Sequence, residues 1–278
     1  MLMVAAPVLW STAGVVTRHI ERATAFELVF WRSFFAFVFV LAALLFFRRN
    51  PLKAGWPVLV SGAMWSVMFT TFMLALTLTT TANTLVVMSL APLLTTLLAR
   101  AFLSDPIPSG TWVATAVAAI GIAWMFGSDL SAHSARDLAG MAIAFSVPVA
   151  GSINVVALRR ARASADLLPA VMLGSVISCL IALPLAVPLQ ATATDVALLA
   201  FLGVFQLGLP CMLFVLASRV LLAPELALLG LLEVLLGPLW AWLGANEVPA
   251  RATLTGGAMV LSALVVNELA TMRAWQRR

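Results

Sequence analysis

The sequence predicts an all-α membrane protein: ten transmembrane helices in two inverted five-helix repeats, forming a single transmembrane domain over residues 1–278. Three observations predict it. Of 278 residues, 63% are hydrophobic and 10% charged, more apolar surface than a water-soluble domain hides. The apolar residues gather into ten segments, several near the roughly 20 residues a helix needs to cross a bilayer. The pattern also repeats itself at a spacing of about 141 residues.

The segments run approximately over 2–17, 25–47, 56–77, 82–102, 111–127, 139–158, 167–188, 196–217, 223–245 and 252–271. The gaps are short and carry turn or charged residues, such as Arg48-Arg49-Asn50-Pro51 and Ser104-Asp105-Pro106. No segment alternates as a membrane-spanning strand would, which argues against a β-barrel. Basic residues set the orientation. With a cytoplasmic N-terminus, eleven of the sixteen lie on the inner side. Four lie outside (Arg18, Arg22, Arg136, Arg251), and Arg32 lies within a segment. That bias places both termini in the cytoplasm and favours an even helix count.

The repeat follows from alignable residues. Pro7 and Ser11 fall on Pro148 and Ser152, Gly62 on Gly203, and Asp105 on Glu247 with one further residue of shift. Five helices per half make the halves enter the membrane from opposite sides. The first repeat is expected over 1–127, a polar linker over 128–138 and the second repeat over 139–278. Inverted repeats of this kind build many secondary transporters, with the solute site near the midplane.

Other classes fit poorly. The net charge of +5 sits in short clusters between apolar runs, so no nucleic-acid partner is expected. Cys179 and Cys211 lie inside apolar runs and imply neither disulfide nor metal site. His19 and His133 lack ligands at metal spacing. No nucleotide loop, dinucleotide fingerprint or nucleophile elbow is present, so no cofactor and no enzymatic activity are expected. No cleavable leader is expected, although the first segment starts abruptly enough for a few residues to precede it. A membrane enzyme acting on lipid-linked substrates and a channel remain the rival classes.

Candidate functional residues stand out by their cost. Glu233 lies ten residues into the ninth segment, roughly 15 Å deep at 1.5 Å per residue. A carboxylate there costs about 2.5–3.5 kcal/mol or more. Two readings stand: an acid lining a polar cavity, or an acid that ties two helices together. Arg32, about 10 Å deep, either binds a substrate carboxylate or is a structural charge that snorkels outward or pairs with Glu27 or another acid. Pro92 and Pro238 occupy paired helices and are the best hinge candidates; static kinks are the alternative. Asp105 and Glu247 are expected to cap helices or pair with nearby arginines. The candidate cavity residues are Trp10, Ser11, Trp65, Met88, Ser89, Asn154, Gln206 and Glu233, with Trp65 and Gln206 at equivalent places in the two halves. Polar members offer donors and acceptors to a zwitterion, whereas Trp and Met offer faces to an apolar side chain. Trp31, Trp56, Trp112, Trp240, Trp242 and Trp275 read as interface belts or packing.

The chain resembles the drug/metabolite transporter superfamily in its ten-helix EamA-type branch, over nearly its whole length. The residues that carry the resemblance are Trp10-Ser11, Arg32, the run Thr81-Ala82-Asn83 through Ser89-Leu90-Ala91-Pro92, Asp105, Leu232-Glu233 and Glu247-Val248-Pro249 before Gly256. It departs from the family at Val234, where a proline is usual, and at Asp105, where Glu is commoner. The resemblance implies a bundle whose first four helices in each half surround a central cavity. It further implies export or exchange of amino acids or other small metabolites across the inner membrane, with drugs, nucleobases or sugars as other cargoes. Within the branch the chain most resembles the YddG-like aromatic amino-acid exporters. Protons are the candidate coupling ion, and the lipid bilayer is the obligatory surrounding. The Gly256-Gly257 pair fits a monomer or a weak dimer.

Overall fold

The computed structural model describes residues 2–51, 55–103, 113–114, 116–117, 120–121, 124, 134–161, 167–218, 223–249 and 251–276. Among them the regular structure is helical. In chain order the helices are α1 (Leu2–Trp10), α2 (Ala13–Thr17), α3 (Ala25–Phe46), α4 (Trp56–Leu78), α5 (Thr81–Met88), α6 (Ala91–Leu103), α7 (Ala135–Ala161), α8 (Leu168–Ala186) and α9 (Ala193–Phe201). A π-helical stretch (Leu202–Gly208) follows, then α10 (Leu209–Ala217), α11 (Ala223–Ala245) and α12 (Arg251–Gln276). Among the described residues, six helical spans are long and apolar enough to cross a membrane.

Local chemistry sets several ends. Thr24 accepts a hydrogen bond from the Glu27 backbone while Glu27 accepts one from the Thr24 backbone, a capping box that starts α3. Thr192 and Asp195 do the same for α9. Pro57 and Pro169 occupy the first turns of α4 and α8, where a missing N–H costs nothing.

Three expected helices are not continuous α-helices. The first segment breaks at Ser11-Thr12, where both hydroxyls donate back to carbonyls, Ser11 to Val8 O at 2.7 Å and Thr12 to Leu9 O at 2.7 Å. The fourth breaks at Ser89-Leu90, with Ser89 donating to Val86 O at 2.6 Å. Pro92 is thus the second residue of a new helix, just past the break. The eighth segment widens into the π stretch, where the Leu209 N–H reaches back five residues to Val204 O. By contrast, α11 runs unbroken through Pro238. Helix α7 begins at Ala135, within the stretch expected as the linker. Asp105, His133 and most of the fifth segment lie outside the described residues.

Helices α3, α4 and α8 pack closely, α7 lies against α4, and α1 lies against α10 and α11. Glycines permit the closest approaches. A Cβ on Gly174 would stand 2.5 Å from Trp65 Cβ, and one on Gly203 would stand 2.6 Å from Arg32 O. Small residues at such seams replace the hydrophobic drive that lipid removes.

One end of the bundle is tied by charge. Arg18 donates to Glu247 Oε2 at 2.8 Å, to Leu76 O at 2.8 Å and to Thr79 O at 2.9 Å. Glu247 also accepts from the Thr81 backbone and, at 3.0 Å, from the Thr81 hydroxyl. The ends of α2, α4 and α11 and the start of α5 meet there. The expected pairing of Glu247 with an arginine therefore holds. At the same end Arg136 donates to Thr77 O at 2.8 Å, and Glu27 accepts from the backbones of Gln190 and Ala191 at 2.6 and 2.9 Å.

Candidate functional site

The polar centre is built around Arg32 on α3. Its side chain is 1% exposed. It donates from Nη1 to Gln206 Oε1 at 3.0 Å and from Nη2 to the Phe69 carbonyl at 2.8 Å. Its Nε has no partner among the described residues. The guanidinium carbon lies 5.8 Å from the centre of the Phe72 ring, within cation–π range. This corrects one expectation. Arg32 does not snorkel, and Glu27 is engaged with backbone amides of its own cap and of residues 190 and 191.

Gln206, 2% exposed, continues the network by donating to the Trp10 carbonyl at 3.3 Å. The break after α1 leaves that carbonyl at the end of a helix, where acceptors need partners from outside. Trp10 packs in one apolar cluster with Cys211, and its ring lies 5.7 Å from that of Phe214. Phe214 meets Trp65 edge-on at 6.1 Å, and Trp65 packs on Phe69 at 5.4 Å. The Trp65 indole nitrogen is buried without a partner among the described residues. Glu233 and Arg32 act on each other through their charges, but no direct ion pair joins them among the described residues. The centre thus combines a buried cation, an amide, a carboxyl group and an aromatic wall.

Of the expected cavity residues, the structure brings together Trp10, Trp65, Gln206 and Glu233. The other candidates have these contacts. Ser11 accepts from Trp240 Nε1 at 3.1 Å and so joins the first segment to α11. Met88 packs in an apolar cluster with Leu85 and Val234. Ser89 is 2% exposed and donates to its own helix. Asn154 accepts from the Ser61 hydroxyl at 2.6 Å, which ties α7 to α4. Sequence reasoning missed Phe69, Phe72, Cys211 and Phe214. The spacing of Trp65, Phe69 and Phe72, four and three residues apart, was the available signal, since such positions share a helix face.

Apolar spans packed around a buried polar centre are the plan of a multi-pass membrane protein, and comparison with known proteins narrows the class. Residues 1–127 match the EamA-like transporter family. The likeness to EamA-like transporters thus covers a little under half of the chain.

Two curated relatives are S-adenosylmethionine uptake transporters. That of Rickettsia prowazekii (strain Madrid E) is 24% identical over 270 residues, 92% of this chain and 90% of the relative. That of Rickettsia conorii (strain ATCC VR-613 / Malish 7) is 24% identical over 274 residues, 96% of this chain and 91% of the relative. A solved crystal structure shares the fold with a TM-score of 0.72 at 20% identity, over 98% of this chain and 97% of the other.

Proposed function

We propose that the protein is a secondary transporter of the inner membrane that moves amino acids, or metabolites bearing an amino-acid group, by alternating access. The observation that carries this reading is Arg32: a fully buried guanidinium with no acid in direct contact among the described residues. A buried charge is retained when something compensates it. A solute carboxylate fits the guanidinium, and Glu233 suits a solute cation. Trp10, Trp65 and Phe214 offer faces to a ring. S-adenosylmethionine, the solute in the relatives' names, carries all three groups, as aromatic amino acids do apart from the sulfonium.

In this reading ten helices form two inverted repeats, 1–127 and 139–278, with both termini cytoplasmic. Local packing supports it. Ser11 is bonded from Trp240 on α11, and Ser152 is bonded from Thr95 on α6 at 3.0 Å. Gly62 lies against Leu173 of α8, while Gly203 lies against Phe35 of α3. Each pair exchanges partners between halves, as a twofold relation in the membrane plane requires. The breaks at 11–12 and 89–90 are the bending points this reading uses, with Pro92 beside the second.

The test is uptake of labelled S-adenosylmethionine, tryptophan, phenylalanine, threonine and methionine into proteoliposomes, with and without unlabelled solute inside. Saturable uptake that rises with trapped solute is expected. Replacing Glu233 with Gln is expected to lower uptake of cationic solutes and to flatten its pH dependence. Uptake and pH profile both unchanged in that variant would remove Glu233 from the mechanism.

A further inference from the structure

Gln206 has two partners in two other segments, Arg32 Nη1 at 3.0 Å and the Trp10 carbonyl at 3.3 Å. It is an amide, so its Oε1 presents to Arg32 a neutral version of a carboxylate oxygen. It is also carried on an unusual piece of backbone. Gly203 and Gly208 both face α3: a Cβ on the first would stand 2.6 Å from Arg32 O, and one on the second 2.7 Å from Phe39 Cδ1. In an α-helix, positions five apart point about 140° away from each other. The wider i→i+5 winding brings them near one face. Pro210, two residues past Gly208, brings no N–H to tighten the turn. The π stretch therefore presses Gln206 onto the very turn of α3 that carries Arg32.

We propose that Gln206 is a displaceable stand-in for the solute's carboxylate. Its Oε1 and that carboxylate compete for Arg32 Nη1, and the charged acceptor wins because a charge-assisted bond is the stronger. Displacement moves the amide and with it the bond to the Trp10 carbonyl. Occupancy of Arg32 is thereby passed to the break in the first segment. Gln206 is thus a positioning residue that sets affinity for carboxylate-bearing solutes. The inference rests on the proposed function, in which Arg32 takes the carboxylate.

The test is equilibrium binding of S-adenosylmethionine and of its decarboxylated analogue to the purified protein and to two variants. Gln206→Met keeps the shape and removes the competitor. It is expected to tighten S-adenosylmethionine about 3- to 10-fold, the net scale of one hydrogen bond. Gln206→Glu installs a charged competitor and is expected to weaken it about 10-fold or more. The decarboxylated analogue is expected to respond to neither. A merely structural Gln206 would weaken both ligands in both variants, and that result overturns the proposal while leaving the proposed function standing. Should Gln206→Glu fail to fold, the sign of the Gln206→Met effect decides alone. Wild-type protein that binds neither ligand, nor tryptophan, phenylalanine, threonine or methionine, removes the proposed function and this inference with it.

Discussion

Removing the Glu247 carboxylate is expected to loosen one end of the bundle and leave the other unaffected. The carboxylate accepts from Arg18 Nε at 2.8 Å and from the backbone and hydroxyl of Thr81. The Arg18 and Glu247 side chains are 30% and 14% exposed, so their pairing contributes at most about 1 kcal/mol. Each Thr81 bond adds about 1 kcal/mol. A loss of about 2–3 kcal/mol makes local opening roughly 30- to 150-fold more frequent. Hydrogen exchange followed by mass spectrometry reads this directly, because the Thr81 amide itself donates to Glu247. In Glu247→Ala, peptides covering 78–84 should exchange faster by about that factor, whereas peptides covering 40–47 should not change. Exchange within about two-fold of wild type over 78–84 would refute the reasoning and relegate the cluster to decoration.

Two further substitutions test the packing. Gly203→Ala places a methyl 2.6 Å from both Arg32 O and Phe35 Cβ; it should destabilise by about 1–3 kcal/mol and lower the melting temperature. Gly230→Ala meets nothing within 4 Å and should stabilise by about 0.5–1 kcal/mol through helix propensity. A double-mutant cycle over Ser61→Ala and Asn154→Ala, measured by unfolding in detergent, should show a coupling of about 0.6–1.7 kcal/mol for their 2.6 Å bond.

The six long apolar spans were legible because hydropathy and length report directly on what lipid tolerates. The ends were legible in principle too. Thr24 with Glu27, and Thr192 with Asp195, are capping pairs three residues apart. The interruptions were not legible. Ser11-Thr12 and Ser89-Leu90 lie in runs whose average hydropathy hides a local competition between hydroxyl and amide for the same carbonyls. The π stretch depends on how Gly203 and Gly208 fit a helix far away in sequence. At the site, the 141-residue spacing singled out Trp65 and Gln206, and both stand at the polar centre. The partners of Arg32, Gln206 and the Phe69 carbonyl, were hidden because they are 174 and 37 residues away. The sequence offered a nearer acid, Glu27, which the fold spends on backbone amides. Asn154 accepts a bond from Ser61 on another helix, a contact that sequence alone does not show.

The buried guanidinium has a consequence for an energised membrane. A pathway wide enough for a metabolite is also wide enough for sodium or hydronium, and leakage of either would dissipate the gradients the cell maintains. Arg32 is a fixed positive charge held by α3, α4 and the π stretch. At an effective dielectric of about 20, a cation 8 Å away is repelled by about 2 kcal/mol. A zwitterion brings its own negative group and meets no such barrier. On the proposed function, the residue that takes the solute's carboxylate also keeps the route electrically tight against inorganic cations.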